Sequence, residues 1–304
     1  TLPGVTGAGA AQALAKQGWP LVGKRMLVAG SGPLLLASAA TLRRHGAQVL
    51  GIHEQASRSA VARFALQLPR WPGKAVQAAA LQLQLAGIGY HAGSVVVAAH
   101  GDAQLREVEI EGPRGRYTIA CDQLAVGYGL VPNTELAQLL GCRLVHTGAH
   151  PQVDVDAQLR TSVANVFAAG EALGIGGRDS ALLEGAIAGH MAAGAPRAAA
   201  ALQRQRRQAR AFATQLQRTF ALDARVHGLA QDATLVCRCE DVPLGALRDF
   251  TDTRDAKLTS RCGMGACQGR ICGTALAELG LGNAESSTDA GRRPPLFPVR
   301  LAAL

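Results

Sequence analysis

The chain is poor in aromatic residues, with phenylalanine, tryptophan and tyrosine making up 4% of its 304 residues. Single-stranded nucleic acid is held by stacking bases on aromatic faces, so this scarcity argues against such a platform. No apolar run approaches the ~20 residues that span a bilayer, because charges or glycines interrupt every candidate. The expectation is a soluble, cytoplasmic protein without a membrane span. The seven cysteines are an odd number, and a chain rich in alanine and leucine can build a core without covalent staples, so a disulfide framework fits badly. No residue has the pattern of a general base or nucleophile, and the eight histidines are scattered. His53, His91 and His190 read as structural residues. Cys121 and Cys142 lack C-x-x-C spacing and read as buried small apolar side chains.

A hydrophobic content of 48% with 36 glycines fits an α/β chain of about two domains. The formal charge of +9, from 31 basic against 22 acidic residues, is compatible with nucleic acid, an acidic partner or an anionic cofactor. Its densest basic run is Arg204, Arg206, Arg207 and Arg210, continuing through Phe212, Leu216 and Phe220. That spacing predicts an amphipathic helix with a solvated basic face, and no nucleic-acid partner.

Five of the seven cysteines cluster near the C-terminus, as Cys237-Arg-Cys239 and then Cys262-Gly-Met-Gly-Ala-Cys267-Gln-Gly-Arg-Ile-Cys272. Thiolates are the soft ligands of iron–sulfur clusters, normally four per cluster, and close pairs separated by a spacer can surround one. Gly263, Gly265, Gly269 and Gly273 suit a backbone that folds tightly round such a site. Zinc is the competing metal.

The first ordered unit is Gly23-Lys-Arg-Met-Leu-Val-Ala-Gly30-Ser31-Gly32-Pro33, a short apolar strand entering a glycine turn and then a helix to Arg44. A second strand from Gln48 ends at Glu54, where a dinucleotide fold places the acid that holds ribose hydroxyls. Leu35 stands where the fingerprint has its third glycine, and His53 beside Glu54 is expected to crowd the ribose end, so nicotinamide or another adenine nucleotide is expected to bind weakly or not at all. Residues 60 to 90 read as helical with a break at Trp71-Pro72-Gly73. Ser94 to Ala99, Arg106 to Glu111 and Tyr117 to Cys121 read as a β-meander, with Gly112-Pro113-Arg114-Gly115 as its last turn. A buried strand then runs to Gly129, and Pro132-Asn133-Thr134 opens a helix. Val166 to Glu171 reads as a strand ending at Gly170-Glu171, followed by Gly174, Gly176, Gly177 and a small-residue helix. A carboxylate at a strand end followed by helix-start amides suits a ribityl hydroxyl and a flavin phosphate.

The ordered set Gly30-Ser-Gly32-Pro33, Gly129-Leu-Val-Pro132-Asn133-Thr134, Thr161-Ser162 and Val166-Phe-Ala-Ala-Gly170-Glu171 resembles the FAD- and pyridine-nucleotide-binding fold of disulfide-reductase-like flavoproteins. The cysteine segment is similar to the 2Fe-2S domain of the bacterioferritin-associated-ferredoxin (BFD) type. In this order the two resemble the flavoprotein subunits of opine oxidase, D-hydroxyproline dehydrogenase, one type of proline dehydrogenase, and hydrogen cyanide synthase. The resemblance covers essentially the whole chain. It implies an α/β, Rossmann-like FAD/NAD(P)-binding fold followed by a small, mainly α BFD-like domain. The implied organisation is a connecting remnant over 1–22, a dinucleotide-binding domain over 23–125, the end of the FAD domain over 126–200, a helical linker over 201–230, the 2Fe-2S domain over 231–280 and a tail over 281–304. Implied cofactors are FAD and a 2Fe-2S cluster, and the cofactor-binding residues implied are Gly30, Ser31, Gly32, Pro33, Glu54, Gly129, Pro132, Asn133, Gly170, Glu171, Gly176 and Gly177, with FAD against the Gly170-Glu171 end and the adenine-nucleotide place at the Gly30 turn. The cluster ligands implied are Cys237, Cys239, Cys267 and Cys272, with Cys262 as the alternate. The implied role is electron relay in a hetero-oligomer whose partner flavoprotein subunit oxidises an amine. Nothing in residues 1–22 supplies the upstream FAD fingerprint of these proteins, and the spacer from Cys239 to Cys267 is shorter than theirs. A cluster-carrying or assembly module, or an NAD(P)H-dependent reductase, are the alternative functions.

Overall fold

The computed structural model describes residues 2–281 together with 296 and 299, so most of the tail expected over 281–304 lies outside the described residues. It divides into two units, Thr1–Gly129 with Gln215–Leu229, and Leu130–Thr214 with the chain from Ala230 onward.

The first unit runs β1 (Val5–Gly7), α1 (Ala8–Lys16), β2 (Arg25–Gly30), α2 (Leu34–Arg44), β3 (Gln48–Glu54), α3 (Arg58–Gln67), α4 (Pro72–Gln84), β4 (Tyr90–Ala92), β5 (Val95–Gly101), β6 (Leu105–Gly112), β7 (Gly115–Ala120) and β8 (Gln123–Gly127). Strands β1, β8, β2, β3 and β4 lie side by side in that order, all parallel, while β5, β6 and β7 form an antiparallel meander. The unbroken apolar run of β2 follows from burial on both faces. Met26 and Val28 pack with Leu35 and Leu42 of α2, whereas Leu27 and Ala29 pack with Leu105, Val108 and Ile110 of the meander. Residues 1–22, expected to be only a connection, supply β1 and α1 of this same layer. Ala8, Ala11 and Ala15, spaced three and four apart, form the buried stripe of α1. The helical stretch expected over 60–90 is two helices. Pro69 lies in the tight turn between them and Pro72 takes the first position of α4, where its missing N–H costs nothing. Its last residue, Tyr90, begins β4.

Leu35 does not loosen the helix that follows the glycine turn. A Cβ on Gly127 of β8 would lie 3.7 Å from Leu35 Cδ2 and 3.1 Å from Ala8 Cβ. The small residue that close helix–strand packing requires has moved from helix to strand.

The second unit contains α5 (Glu135–Leu139), the hairpin β9 (Leu144–Thr147) and β10 (His150–Val153), α6 (Arg178–Ala192) and α7 (Pro196–Thr219), whose last turn counts with the first unit, as does α8 (Ala224–His227). It ends with β11 (Leu235–Cys237), β12 (Val242–Pro243), α9 (Thr253–Ser260) and α10 (Cys272–Glu278). Leu159, Leu173, Ile187, Met191 and Ala199 share one core, and Val236, Leu244, Leu247 and Ala256 join three cysteines in another.

Two expectations are corrected here. No strand forms over Val166–Glu171. Phe167 makes a single antiparallel bridge to Arg160, and the amides of Thr161 and Ala168 bond to the carbonyls of Val166 and Leu159, so the segment folds back on itself and satisfies its backbone locally. Nor is the basic face of α7 uniformly solvated. Arg206 and Arg210 turn onto Glu184 at 3.1 and 2.7 Å, and the Glu184 side chain is fully buried. A carboxylate removed from water requires such partners.

At Gly30 a Cβ would stand 2.1 Å from the Gly127 carbonyl oxygen, with φ at +141°, so Gly30→Ala is expected to cost about 3 kcal/mol in denaturant unfolding. The exposed Gly9 in α1 has nothing within 4 Å of its Cβ position, and Gly9→Ala is expected to add about 0.5–1 kcal/mol in the same assay.

Candidate functional sites: a glycine turn and a cysteine cage

The glycine turn belongs to the first unit. Ser31 N–H donates to the Gly127 carbonyl at 2.8 Å, and Gly32 N–H donates to Glu54 Oε2 at 2.7 Å. Glu54 Oε1 accepts from Ala56 N–H at 2.8 Å, and the Tyr90 hydroxyl stands 3.4 Å from Oε2. Burial raises the Glu54 carboxyl above the ordinary range, against the pull of these donors. The parallel pairing of Gly30 with Glu54 is what brings the acid to the turn.

His53 does not line the same place. Successive strand residues point to opposite faces, and its ring is 1% exposed, stacked on His91 with centroids 4.7 Å apart, with Nδ1 3.4 Å from the Tyr117 hydroxyl. Nε2 is buried without a hydrogen-bond partner. Burial, with the neighbouring His91, lowers its pKa to about 4.

The chain after α7 returns to this turn. Ser31 Oγ donates to the Phe220 carbonyl at 2.8 Å and accepts from Gln55 Nε2 at 2.9 Å. Gln55 Nε2 also donates to the Ala221 carbonyl at 2.8 Å, and Asp223 N–H donates to Gln55 Oε1 at 3.1 Å. Phe220 meets Phe64 edge to face at 5.3 Å. Sequence reasoning missed Gln55 and residues 221–223 here. The one available signal was Phe220, apolar at the end of a helical stripe. Gly129, with φ at +137°, closes the first stretch of this unit.

In the second unit, Asn133 Oδ1 accepts from Glu135 N–H at 3.3 Å, one residue after Pro132, while the Thr134 side chain makes no cap. Gly170–Leu173 forms one tight helical turn. Glu171 Oε1 accepts from Gly177 N–H at 2.8 Å, and its Oε2 is buried with no hydrogen-bond partner. The loop is tied at both ends. Gly170 N–H donates to Glu184 Oε2 at 3.0 Å, and Arg210 donates to the Gly174 carbonyl at 2.9 Å. Gly176 packs against Ser180, where a Cβ would come within 2.8 Å of Oγ. The expected residues Gly170, Glu171, Gly176 and Gly177 therefore share one loop.

Among the cysteines, the sulfurs of Cys237, Cys262 and Cys272 lie within 4.8 Å of one another, and all three residues are buried. Cys239 is exposed and Cys267 partly so, and the two hydrogen-bond through their side chains. Gly265 makes this possible, since a Cβ there would be 2.1 Å from Cys239 Cβ. The Ile271 amide, helped by those of Gly269 and Arg270, holds the Cys267 thiol below its ordinary pKa. A hydrogen bond from Cys272 lowers Cys262, and the same bond with burial raises Cys272. Of the four expected ligands, Cys237 and Cys272 share the cage with Cys262, whereas Cys239 and Cys267 pair with each other. Arg270 pairs with Glu135 at 3.1 Å and His150 with Glu278 at 2.6 Å, fastening the cysteine region to α5 and β10. Cys121 and Cys142 lie apart, buried in the other cores, and burial raises Cys121 to about 11.

Parallel strands with a glycine turn between the second and its helix define a dinucleotide-type fold. The family model of pyridine nucleotide-disulphide oxidoreductases matches residues 2–199, and the chain belongs to that family. One subunit of the opine oxidase of Rhizobium meliloti is 32% identical, over 99% of this chain and 71% of that protein. Hydrogen cyanide synthase subunit HcnB of Pseudomonas aeruginosa is 32% identical, over 98% of this chain and 70% of that one. The crystal structure of L-proline dehydrogenase from P. horikoshii has the same fold, with a TM-score of 0.58 and 17% identity across 100% of this chain and 54% of that chain. This chain therefore spans about half the length of that solved chain. The fold is that of FAD-binding oxidoreductases, and among the described residues no helix is long and apolar enough to cross a membrane.

His53 carries a pH prediction. Its pKa falls from 6.5 to about 4 on folding, so between those values the unfolded chain binds a proton that the folded chain refuses. Stability is expected to be full above pH 6.5 and to fall by on the order of 3 kcal/mol as the pH drops toward 4. Denaturant unfolding of the His53→Phe variant should show a shallower acid slope, and an equal slope would exclude His53 as its source.

Proposed function

We propose that this chain is the FAD- and 2Fe-2S-carrying electron-relay subunit of a hetero-oligomeric amine dehydrogenase or oxidase, acting on a CH–NH donor of the opine, hydroxyproline, proline or glycine type through a partner flavoprotein subunit. The observation that carries this reading is the buried cage of Cys237, Cys262 and Cys272 with the Cys239–Cys267 pair beside it, in a chain of the oxidoreductase family whose relatives are named as subunits. The donor set fits the cluster. Several thiols converge and backbone amides face one of them, as an anionic thiolate cluster requires.

Cys237, Cys239, Cys267 and Cys272 would hold the cluster, with Cys262 as the spare. When bound, a 2Fe-2S cluster supplies one-electron transfer and FAD supplies exchange between one- and two-electron steps. The protein's own contribution is positioning. The unpaired Glu171 Oε2 fits a ribityl hydroxyl donor, and Glu184 with Arg210 fixes the loop that presents it. Gly177 N–H, already donating to Glu171, orients that carboxylate. The amides of Ile271, Gly269 and Arg270 stabilise negative charge at Cys267.

The test is a visible spectrum with iron, sulfide and flavin analysis of the chain purified with its co-expressed partner subunit. Flavin and cluster bands, with flavin bleached anaerobically by one of these amines, are the expected result. Cluster bands without flavin would point instead to a carrier or assembly module, and rapid NADH oxidation by the chain alone to a reductase. Among cysteine variants, Cys237→Ser, Cys239→Ser, Cys267→Ser and Cys272→Ser should each lower bound iron about tenfold, while Cys262→Ser keeps it. Loss in Cys262→Ser with retention in Cys272→Ser would transfer that ligand position to Cys262.

A further inference from the structure

We propose that residues 220–223, between α7 and α8, are a built-in strap that occupies the ligand side of the Gly30–Gly32 turn, so that an adenine dinucleotide and the strap compete for one place. In a dinucleotide fold the pyrophosphate sits on the glycine turn and the ribose at the end of the next strand. The strap covers both positions. At the turn, Ser31 Oγ donates to the Phe220 carbonyl at 2.8 Å, and the Phe220 side chain lies 3.7 Å from where a Gly32 Cβ would be. At the end of β3, the residue after Glu54 is Gln55, which is 1% exposed. Its amide donates to the Ala221 carbonyl and to Ser31, and its oxygen accepts the Asp223 amide at 3.1 Å.

The chemistry of these contacts is that of a ligand. Carbonyl oxygens of Phe220 and Ala221 meet the hydroxyl and carboxamide donors that phosphate and ribose oxygens would otherwise meet. The Gln55 carboxamide has both N–H groups engaged, so no donor remains on it for a second ligand. The strap is fastened beyond the turn as well. Phe220 packs on Phe64 of α3, and Asp223 accepts from Arg225 N–H at 2.9 Å to cap α8. The obstacle to a nucleotide is therefore not Leu35, which is accommodated by Gly127, nor His53, which faces away. It is a removable piece of the same chain.

Calorimetric titration with ADP-ribose tests this without any bound flavin or cluster. The unmodified chain is expected to bind weakly or undetectably. Phe220→Ala and Asp223→Ala, which loosen the strap and leave the donors of the turn in place, should each bind at least tenfold tighter and be cut faster by trypsin at Arg218 and Arg225. Micromolar binding by the unmodified chain would overturn the proposal, as would unchanged affinity in a variant whose strap is cut faster. Should neither variant fold, hydrogen exchange on the unmodified chain decides. The amides of residues 220–223 must exchange faster when ADP-ribose is added at high concentration, and an unchanged or slower rate refutes the competition.

Discussion

Where β2 ends, the chain passes β8 so closely that one added carbon on Gly30 would sit 2.1 Å from the Gly127 carbonyl oxygen. The turn exists because neither residue has a side chain. Gly30 lets the backbone leave the sheet at a positive φ, and Gly127 makes room for Ala8 and Leu35 to press on the sheet from α1 and α2. With those helices seated, the end of β3 is brought level with the turn, and Glu54 reaches the Gly32 amide. The same backbone contact thus governs the helix layer, the acid and the surface over which the strap lies.

Buried charge organises the second unit. Glu184, with its side chain wholly out of water, draws Arg206 and Arg210 from α7 and the Gly170 amide from the loop before α6. Removing a charge from water is expensive unless partners surround it. That requirement holds the Gly170–Gly177 loop in place and gives Glu171 a fixed position with one oxygen still unbonded. A basic run that reads along the chain as a solvated face is, on two of its arginines, an internal clamp.

The cysteine region shows a different economy. Five thiols cluster in sequence, and burial separates three of them from the other two. Cys262 cannot be set aside by burial or distance, since it lies as close to Cys237 and Cys272 as they lie to each other within the same limit. The spare role proposed for it rests on family resemblance, whereas its place in the cage rests on packing with Val236, Leu244 and Leu247.

Features with a local cause were legible in the chain itself. The apolar run of β2, the glycine turn, the acid at the end of β3, the meander and the cysteine spacing each follow from periodicity, backbone freedom or ligand chemistry acting within a few residues. The tertiary structure decided the rest, because those outcomes depend on residues far apart in sequence. Whether Val166–Glu171 became a strand turned on the lack of a neighbour to pair with, and its backbone closed on residues 159–161 instead, with the Ala168 amide donating to Leu159 and the Val166 carbonyl accepting from Thr161. Leu35 could replace a glycine only because Gly127 yielded the space. Arg206 and Arg210 left solvent only because a buried carboxylate needed them. Residues 220–223 came to lie on a turn nearly two hundred positions upstream, since hydrogen-bond donors at a buried turn must be satisfied by whatever part of the chain the fold delivers there.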